Sequence, residues 1–447
     1  MCIFFILYLV LQRLELIIKS LVYAKVCMLN LFVVYSIIED LNSTKQRLSG
    51  LVENLIKSIP GLTMCGYFCE DNELEKYFES TGNGDDITVI LNASGGTERL
   101  INAIVSNYDV PTIILADSKK NSFASSLEAY AHLNQNYPVK IFYSENDSEK
   151  VAEVKSFVVA ALAKQKIDDS HFYLVGNPSD WLLTSTDFNG FGSFKTKFTK
   201  LEVDELIKEV DKITDDKTIE IITDWKNTYK EILVDDRSLI DSAKVYLALK
   251  QIIKKYKTDV ISVRCFDLLA HNYTSCMGLS LCNDEGITAG CEGDIPTTFT
   301  MMIAQNLSGK AVWMANPSSI DKDKNEILFA HCSVPTSFIE NINEAGLTTH
   351  MESGLSTALR GPLRKSSVTM MRISKDFKKI IAVTGRITDS DMKDVNLCRT
   401  QAVIKIDGNV EKWVDSTFGN HHVIAYGNIL PELKYFCDLS DIELIRI

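Results

Sequence analysis

Short apolar runs alternate with amphipathic stretches over the first third of the chain. Residues 29–35 (LNLFVVY) have the composition of a buried strand, and residues 45–58 carry apolar side chains at helical spacing. The same alternation continues with strand-like runs at residues 87–91 and 112–115, each followed by a predicted helix. Strands separated by helices predict a parallel sheet, in which ligands lie beyond the carboxyl ends of the strands.

A second strand-and-helix pattern begins at residues 171–175 (HFYLV) and continues through residues 259–263 (DVISV) toward Glu292. After about residue 307 the pattern changes to short β-like runs separated by turns, with a last helix predicted at residues 431–437. The expected fold class is therefore α/β, with two Rossmann-like parallel-sheet α/β domains followed by a mainly antiparallel β C-terminal domain.

The chain has 447 residues, more than a single hydrophobic core usually supports, so several domains are expected. The predicted divisions are 1–27 (an apolar extension), 28–168 (first α/β domain), 169–307 (second α/β domain, with Glu292) and 308–447 (β-rich domain, with His331 and His421). Residues 1–10 (MCIFFILYLV) are almost wholly apolar. This run is about half of the ~20 residues that a bilayer span needs. We interpret residues 1–27 as an extension outside the native fold, with a membrane anchor as the alternative.

Composition and charge exclude several classes of protein. Hydrophobic residues make up 46% and charged residues 24% of the chain, as in globular proteins. The net charge of -12 would repel a phosphate backbone, and no basic stripe with interleaved aromatics occurs, so nucleic acid is not an expected partner. The 11 cysteines show neither CxxC nor zinc-finger spacing. They indicate reduced thiols in a cytoplasmic protein, with no membrane partner expected.

Histidine is rare, so its placement is informative. Among 7 histidines, His331 lies in the segment FAHCSVP, and His421 and His422 lie in FGNHHVI. Together with Glu292 and Asp294 of CEGD, they are typical of a divalent cation site with imidazole and carboxylate ligands. Such a site suits Mn²⁺ or Mg²⁺ and less often Zn²⁺. The alternative from the residues alone is structural, with a buried core histidine and a histidine pair that turns a loop.

Four short segments occur in a fixed order in the second half of the chain. They are NDEGITAGCEGDI (283–295), WMANPS (313–318), FAHCSVP (329–335) and GNHHV (419–423). This order resembles the L-fucose/L-arabinose isomerase superfamily, most nearly its archaeal and bacterial "fucose isomerase-like" branch. Shorter matches extend the resemblance to roughly residues 28–447. The order of the four segments is specific, whereas any single segment is not.

The resemblance implies a sugar isomerase of two α/β domains and a β-rich domain, holding a divalent cation that is usually Mn²⁺. Carried over residue by residue, Glu292 matches the first carboxylate ligand, His421 the C-terminal histidine ligand, and His331 the additional histidine of the arabinose isomerase arm. The chain departs from the pattern at the second acid, where Asn316 stands. An amide oxygen ligates a hard cation but cannot take up a proton. The resemblance also implies a homo-oligomer, either a trimer or a hexamer.

Aldose–ketose isomerisation through an enediol moves a proton between adjacent carbons, so it needs acid or base groups beside the sugar. Glu292 is one candidate. The second is Glu352 of the segment HMESG, or Asp294, which could equally orient a metal ligand. For Glu352 and its neighbour His350, the alternative is an ordinary solvated loop.

Four residues are candidates for binding the sugar, because an indole offers a flat apolar face and a guanidinium binds hydroxyls or orders a carboxylate. They are Trp181, Arg264, Asn316 and Arg399. The alternatives are that Trp181, like Trp313, belongs to the core and that the arginines tie domains together.

The function expected from these observations is that of a metal-dependent aldose–ketose isomerase, an intramolecular oxidoreductase. Its expected substrate is a small sugar such as L-fucose, D-arabinose or L-arabinose. The alternative is a fucose isomerase-like protein that binds carbohydrate or regulates without isomerase turnover.

Overall fold

The computed structural model describes residues 29–81 and 87–447, so the predicted extension at residues 1–27 lies outside the described residues. The chain forms two compact units, one ending at Ala161 and the other running from Leu162 to Ile447. The divisions predicted after residues 168 and 307 stay predictions. Among the described helices, none is both long and apolar enough to cross a membrane.

The first unit contains a five-stranded parallel sheet. Its elements are β1 (Leu29–Val34), α1 (Leu41–Ser58), β2 (Leu62–Phe68), α2 (Asp71–Thr81), β3 (Ile87–Asn92), α3 (Glu98–Tyr108), β4 (Thr112–Ala116), α4 (Ser122–Leu133) and β5 (Val139–Tyr143). The strand order is β2-β1-β3-β4-β5, and every pairing is parallel. Every residue of β1, β3 and β4 is buried, as expected for the central strands of a parallel sheet.

A long helix, α5 (Asp147–Asp169), crosses the boundary between the units, and a second parallel sheet follows. The elements that follow are β6 (His171–Val175), α6 (Leu183–Thr186), β7 (Lys197–Leu201), α7 (Val203–Asp211), α8 (Ile219–Thr228), β8 (Glu231–Ile232), α9 (Asp236–Tyr256), β9 (Val260–Val263), α10 (Cys276–Asp284), β10 (Thr288–Cys291) and α11 (Ile295–Ser308). The sheet order is β10-β9-β6-β7, again wholly parallel. The carboxyl ends of β10, β9 and β6 are therefore neighbours, and Glu292, Arg264 and the loop of residues 176–181 follow them directly.

The rest of the second unit contains a β-barrel and two strands of a smaller sheet. Its elements are β11 (Trp313–Asp321), β12 (Glu326–His331), β13 (Gly346–Thr348), β14 (Ala358–Arg360), β15 (Ser367–Ile373), β16 (Lys379–Ser390), β17 (Thr400–Ile406), α12 (Val410–Asp415), β18 (His422–Tyr426), α13 (Leu430–Ser440) and β19 (Glu443–Arg446). Strands β15, β18, β11, β12, β17 and β16 pair antiparallel in that order, and β15 also pairs with β16, which closes the barrel. The expected fold class is confirmed.

A small three-stranded sheet was not foreseen from the sequence. In it β8 pairs in parallel with β13, which pairs antiparallel with β14. Strands of two or three residues are too short to show an alternating pattern, so nothing in the sequence predicted them. The 3₁₀ helices of the described residues lie at Asp215–Thr218, Cys265–His271, Thr336–Phe338 and Ile342–Glu344.

Candidate metal centre

A carboxylate and two imidazoles meet in the second unit. Glu292, His331 and His421 each offer one ligand atom, and these atoms all lie within 4.8 Å of one another. Glu292 directly follows β10, His331 is the last residue of β12, and His421 immediately precedes β18. The three groups therefore converge where the carboxyl edge of the second parallel sheet meets the barrel, the edge at which such sheets bind ligands.

The backbone at Glu292 is held in an unusual conformation. Its φ of +59° lies in the left-handed region, which a residue with a Cβ enters at a cost of about 1–3 kcal/mol. The Glu292 carbonyl oxygen accepts hydrogen bonds from the backbone N–H (3.0 Å) and the hydroxyl (2.9 Å) of Ser179. A Cβ on the next residue, Gly293, would lie 2.6 Å from the carbonyl oxygen of Asn177. The tight fit between this turn and the loop after β6 fixes where the Glu292 side chain points.

Trp181, from that same loop, contacts the carboxylate of Glu292. Its indole N–H donates to Oε2 of Glu292 over 2.8 Å, although the residue is 52% exposed. The indole meets the ring of Phe266 edge-on, with 4.8 Å between ring centroids. Trp313, by contrast, is fully buried in the barrel core. Of the two tryptophans considered from the sequence, Trp181 alone presents an aromatic face beside the ligand groups.

His421 is fully buried and is oriented by its Nδ1 atom. Nδ1 lies 2.9 Å from Oδ2 of Asp294, and Nε2 lies 3.4 Å from Oε1 of Glu292. The second contact is an ion pair without hydrogen-bond geometry, since Nε2 has no hydrogen-bond partner among the described residues. A carboxylate that accepts the Nδ1 proton leaves the Nε2 lone pair free for a cation.

His331 reaches the centre from the neighbouring strand. Its Nδ1 lies 2.8 Å from the hydroxyl of Ser333 and 3.2 Å from the backbone N–H of the same residue. The ring stands nearly perpendicular to that of His421, with 5.3 Å between centroids. The neutral ring offers an Nε2 lone pair to a ligand in the tautomer whose Nδ1–H donates to the Ser333 hydroxyl.

The three groups control each other's protonation. Burial would raise the pKa of Glu292, but the charge of His421 lowers it to about 2. Burial, reinforced by the charge of His421, lowers the pKa of His331 to about 4. Burial would also lower the pKa of His421, yet Glu292 and Asp294 raise it to about 9. At neutral pH the protein groups alone therefore hold an ionised Glu292, a neutral His331 and a protonated His421.

The carboxylate of Asp294 is buried and engaged by hydrogen bonds. Its side chain is fully buried, and it accepts hydrogen bonds from the Ser185 hydroxyl (3.2 Å) and from the backbone N–H (3.0 Å) and hydroxyl (2.8 Å) of Thr297. Burial would raise the pKa of Asp294, but Arg372 and His421 hold it far below its usual range. These contacts favour the reading in which Asp294 orients His421 over a role in proton transfer.

Asn316 lies on β11, the strand next to the one that ends at His331. It pairs across the ladder with Ala330, which precedes His331, and its Oδ1 accepts a hydrogen bond from the side-chain amide of Asn420 over 3.2 Å. Asn420 in turn precedes His421. Asn316 is therefore linked to the segments that carry His331 and His421.

Glu352 and His350 form a pair near the same centre. Oε2 of Glu352 lies 2.8 Å from Nε2 of His350, whose Nδ1 lies 2.9 Å from the hydroxyl of Ser353. His350 is buried, while the Glu352 side chain is 41% exposed. The ring of His350 meets that of Phe266 edge-on, with 5.8 Å between centroids, and Phe266 also contacts the indole of Trp181. This turn is therefore more than a solvated loop.

The two candidate arginines are anchored to nearby loops. Arg264 directly follows β9, donates to Asp180 over 3.2 Å and forms an ion pair with Asp267 at 3.0 Å. Arg399 donates through Nε to the carbonyl oxygen of Thr349 over 2.9 Å. Both guanidinium groups thus order the loops around the centre, and whether they also bind a sugar stays a prediction.

Several residues that contact these groups or their partners were not foreseen. Among them, Ser333 engages His331, and Arg372 of β15 donates to Asp294. A signal for Arg372 existed, because the only charged residue of the mostly buried strand SVTMMRI is unusual unless its charge is paired. The position of Ser333 two residues after His331 carries no such signal.

Comparison with characterised proteins relates the chain to sugar isomerases. It is 18% identical over 399 residues to the sulfoquinovose isomerase of Alkalicoccus urumqiensis, an alignment that covers 84% of this chain and 89% of that protein. It is 23% identical over 211 residues to the sulfoquinovose isomerase of Clostridium sp. (strain MSTE9), covering 45% and 46% of the two chains. The protein of the same name from Priestia aryabhattai is 20% identical over 241 residues, covering 52% and 54%. No protein family model matches the chain.

These relatives are isomerases that act on a sugar, and they confirm the expectation that this chain is an enzyme of the isomerase class. The identities are low, and the fucose/arabinose assignment within sugar isomerases is not established by them.

Proposed function

We propose that the chain is a metal-dependent aldose–ketose isomerase in which Glu292, His331 and His421 hold the cation. The observation that carries the proposal is the convergence of these three ligand atoms within 4.8 Å in a chain similar to sugar isomerases. One carboxylate and two imidazoles suit Mn²⁺, and the buried Nε2 of His421, which has no hydrogen-bond partner among the described residues, is a nitrogen that a cation would engage. When bound, the cation would polarise the carbonyl and hydroxyl oxygens of the sugar.

Asn316 is the proposed fourth ligand group. Its Oδ1 accepts one hydrogen bond, from Asn420, and an amide oxygen has a second lone pair for a cation. Because Asn316 adds no negative charge, the protein ligands carry a single formal charge, that of Glu292. We therefore expect a weaker cation site than one with two carboxylates.

Glu352 is the proposed group that carries the proton between the two sugar carbons, with Glu292 as the acid or base on the opposite side. The Glu352 carboxylate is partly exposed and is held by His350, so a substrate can reach it while its orientation is kept. Asp294 has both oxygens engaged and no exposed surface, so we assign it to holding His421.

The proposed substrate is a small aldose. L-fucose, D-arabinose and L-arabinose follow from the family resemblance, and the names of the relatives add sulfoquinovose. Trp181 offers a half-exposed ring for the apolar face of a sugar, and Arg264 and Arg399 offer donors for hydroxyl groups or for an anionic substituent. A cytoplasmic location and a trimeric or hexameric assembly complete the proposal.

An aldose panel tests this function. The full chain, treated with a chelator, is incubated with each of the four sugars with and without added Mn²⁺, and ketose formation is measured. The proposal predicts turnover of at least one sugar that depends on Mn²⁺. Sugar-induced thermal stabilisation without ketose formation would instead support the carbohydrate-binding alternative.

A further inference from the structure

Arg372 is a charged residue with no access to solvent. It lies in β15, and its side chain is 0% exposed. A guanidinium in this position is costly unless its N–H groups are paired, so its partners define what it is for.

Those partners lie around His421. One terminal nitrogen, Nη1, donates to Oδ2 of Asp294 (3.3 Å), to the backbone carbonyl oxygen of His421 (2.6 Å) and to the Thr297 hydroxyl. The other, Nη2, donates to the Thr184 hydroxyl over 3.0 Å. His421 is therefore held twice, at its backbone by Arg372 directly and at its ring by the carboxylate that Arg372 also binds.

The chain just before His421 is fitted to this guanidinium. A Cβ on Gly419 would lie 2.4 Å from Nη2 of Arg372, so a side chain at this position would require the guanidinium to move. The absence of a side chain at this residue therefore lets the segment that carries His421 pass directly over Arg372. This close approach is a second observation, besides the hydrogen bonds, that connects Arg372 with the segment that carries His421.

We propose that Arg372 is a positioning residue for the metal centre, which fixes the place and ring orientation of His421 by binding its carbonyl oxygen and its Asp294 partner together. The inference rests on the proposed metal centre. It extends that proposal by assigning the positioning of one ligand, His421, to a residue that would contact neither the cation nor the sugar.

The test compares Mn²⁺ binding to the full-length protein and to Arg372→Gln and Arg372→Lys, with the dissociation constant measured by titration and folding followed by thermal melting. Residues that orient a metal ligand typically change affinity about 10–100-fold when replaced. We expect a loss of that size for Arg372→Gln and a smaller one for Arg372→Lys, which keeps the charge but not the fork of donors. Arg386→Gln, an exposed arginine of the same barrel, is the matched control and should bind as the parent does.

The outcomes separate this inference from the function on which it rests. A parent protein that binds no Mn²⁺ would overturn the metal centre itself. The positioning role alone would be overturned if the parent binds Mn²⁺ and Arg372→Gln melts at a lower temperature but has a Mn²⁺ dissociation constant within twofold of that of the parent. If Arg372→Gln does not fold, Thr184→Val removes the hydrogen bond to Nη2 with little change of shape. Affinity should then fall at least threefold, and unchanged affinity would overturn the role.

Discussion

Nδ1 of His421 lies 2.9 Å from Oδ2 of Asp294, and both side chains are fully buried. A carboxylate behind an imidazole fixes its tautomer and points the other nitrogen at a ligand. This pair is the reason that we propose different roles for two acids only two positions apart, Glu292 and Asp294. The first faces the other ligand atoms, and the second holds a ligand from behind.

Replacing Asp294 with Asn should weaken Mn²⁺ binding about 10–100-fold, because the amide keeps the shape but no longer holds the ring of His421 by charge. Isothermal titration on folded protein measures this. If Asp294 instead moved the substrate proton, the variant would lose kcat while its Mn²⁺ dissociation constant stayed at the parent value.

The affinity for Mn²⁺ should depend on pH through His421. Its pKa is about 9 and that of His331 is about 4, so between these values cation binding must displace one proton, from His421. The association constant should therefore rise about tenfold per pH unit across this window and level off near pH 9. Titrations from pH 5.5 to 8.5 check the slope. If the association constant stops rising at pH 6.5, the ordinary pKa of histidine, Glu292 and Asp294 do not raise the pKa of His421 as described.

Replacing Asn316 with Asp should tighten Mn²⁺ binding about tenfold, because a second carboxylate charge is added beside a dication. Isomerase activity should rise or persist, since the change also restores a group that can take up a proton. Asn343→Asp, at an exposed position in the 3₁₀ helix Ile342–Glu344, controls for the added charge. Equal affinity in the parent and the Asn316 variant would mean that this residue does not ligate the cation.

Replacing Glu352 with Gln should lower kcat about 100-fold or more while Mn²⁺ affinity stays close to that of the parent, because a proton carrier is lost and the ligands remain. Glu344→Gln, an exposed glutamate in a nearby segment of the chain, is the control. Steady-state kinetics at saturating Mn²⁺ decide the question. Activity within severalfold of the parent would assign the proton transfer to another group.

Much of the fold was predictable because its strongest signals are local. Runs of apolar side chains predict the buried strands near residues 29, 87 and 112. Such runs also predict the change to short strands after residue 307. Strand β2 was missed, since LTMCGYF mixes a glycine and polar positions into a half-buried strand. The closure of the barrel through the pairing of β15 with β16 depends on long-range contacts that no local pattern contains.

The ligand groups were accessible to sequence reasoning because histidine is rare and the family-like segments flank it. The different surroundings of Glu292 and Asp294 could not be predicted, because the direction of each side chain depends on the left-handed turn at Glu292. Arg372 was overlooked for a related reason. Its partners come from residues 49 to 188 positions away in the chain, so only the folded structure brings them together.

The most direct test of the central claim is Mn²⁺-dependent ketose formation by the parent and by Glu292→Gln, using the aldose that the panel identifies. The substitution keeps the shape of the side chain and removes the only negative charge among the proposed ligands. We predict that the variant folds with a melting temperature near that of the parent but forms no measurable ketose at any Mn²⁺ concentration. Ketose formation by Glu292→Gln within severalfold of the parent, or turnover by the parent that is indifferent to Mn²⁺, would contradict it.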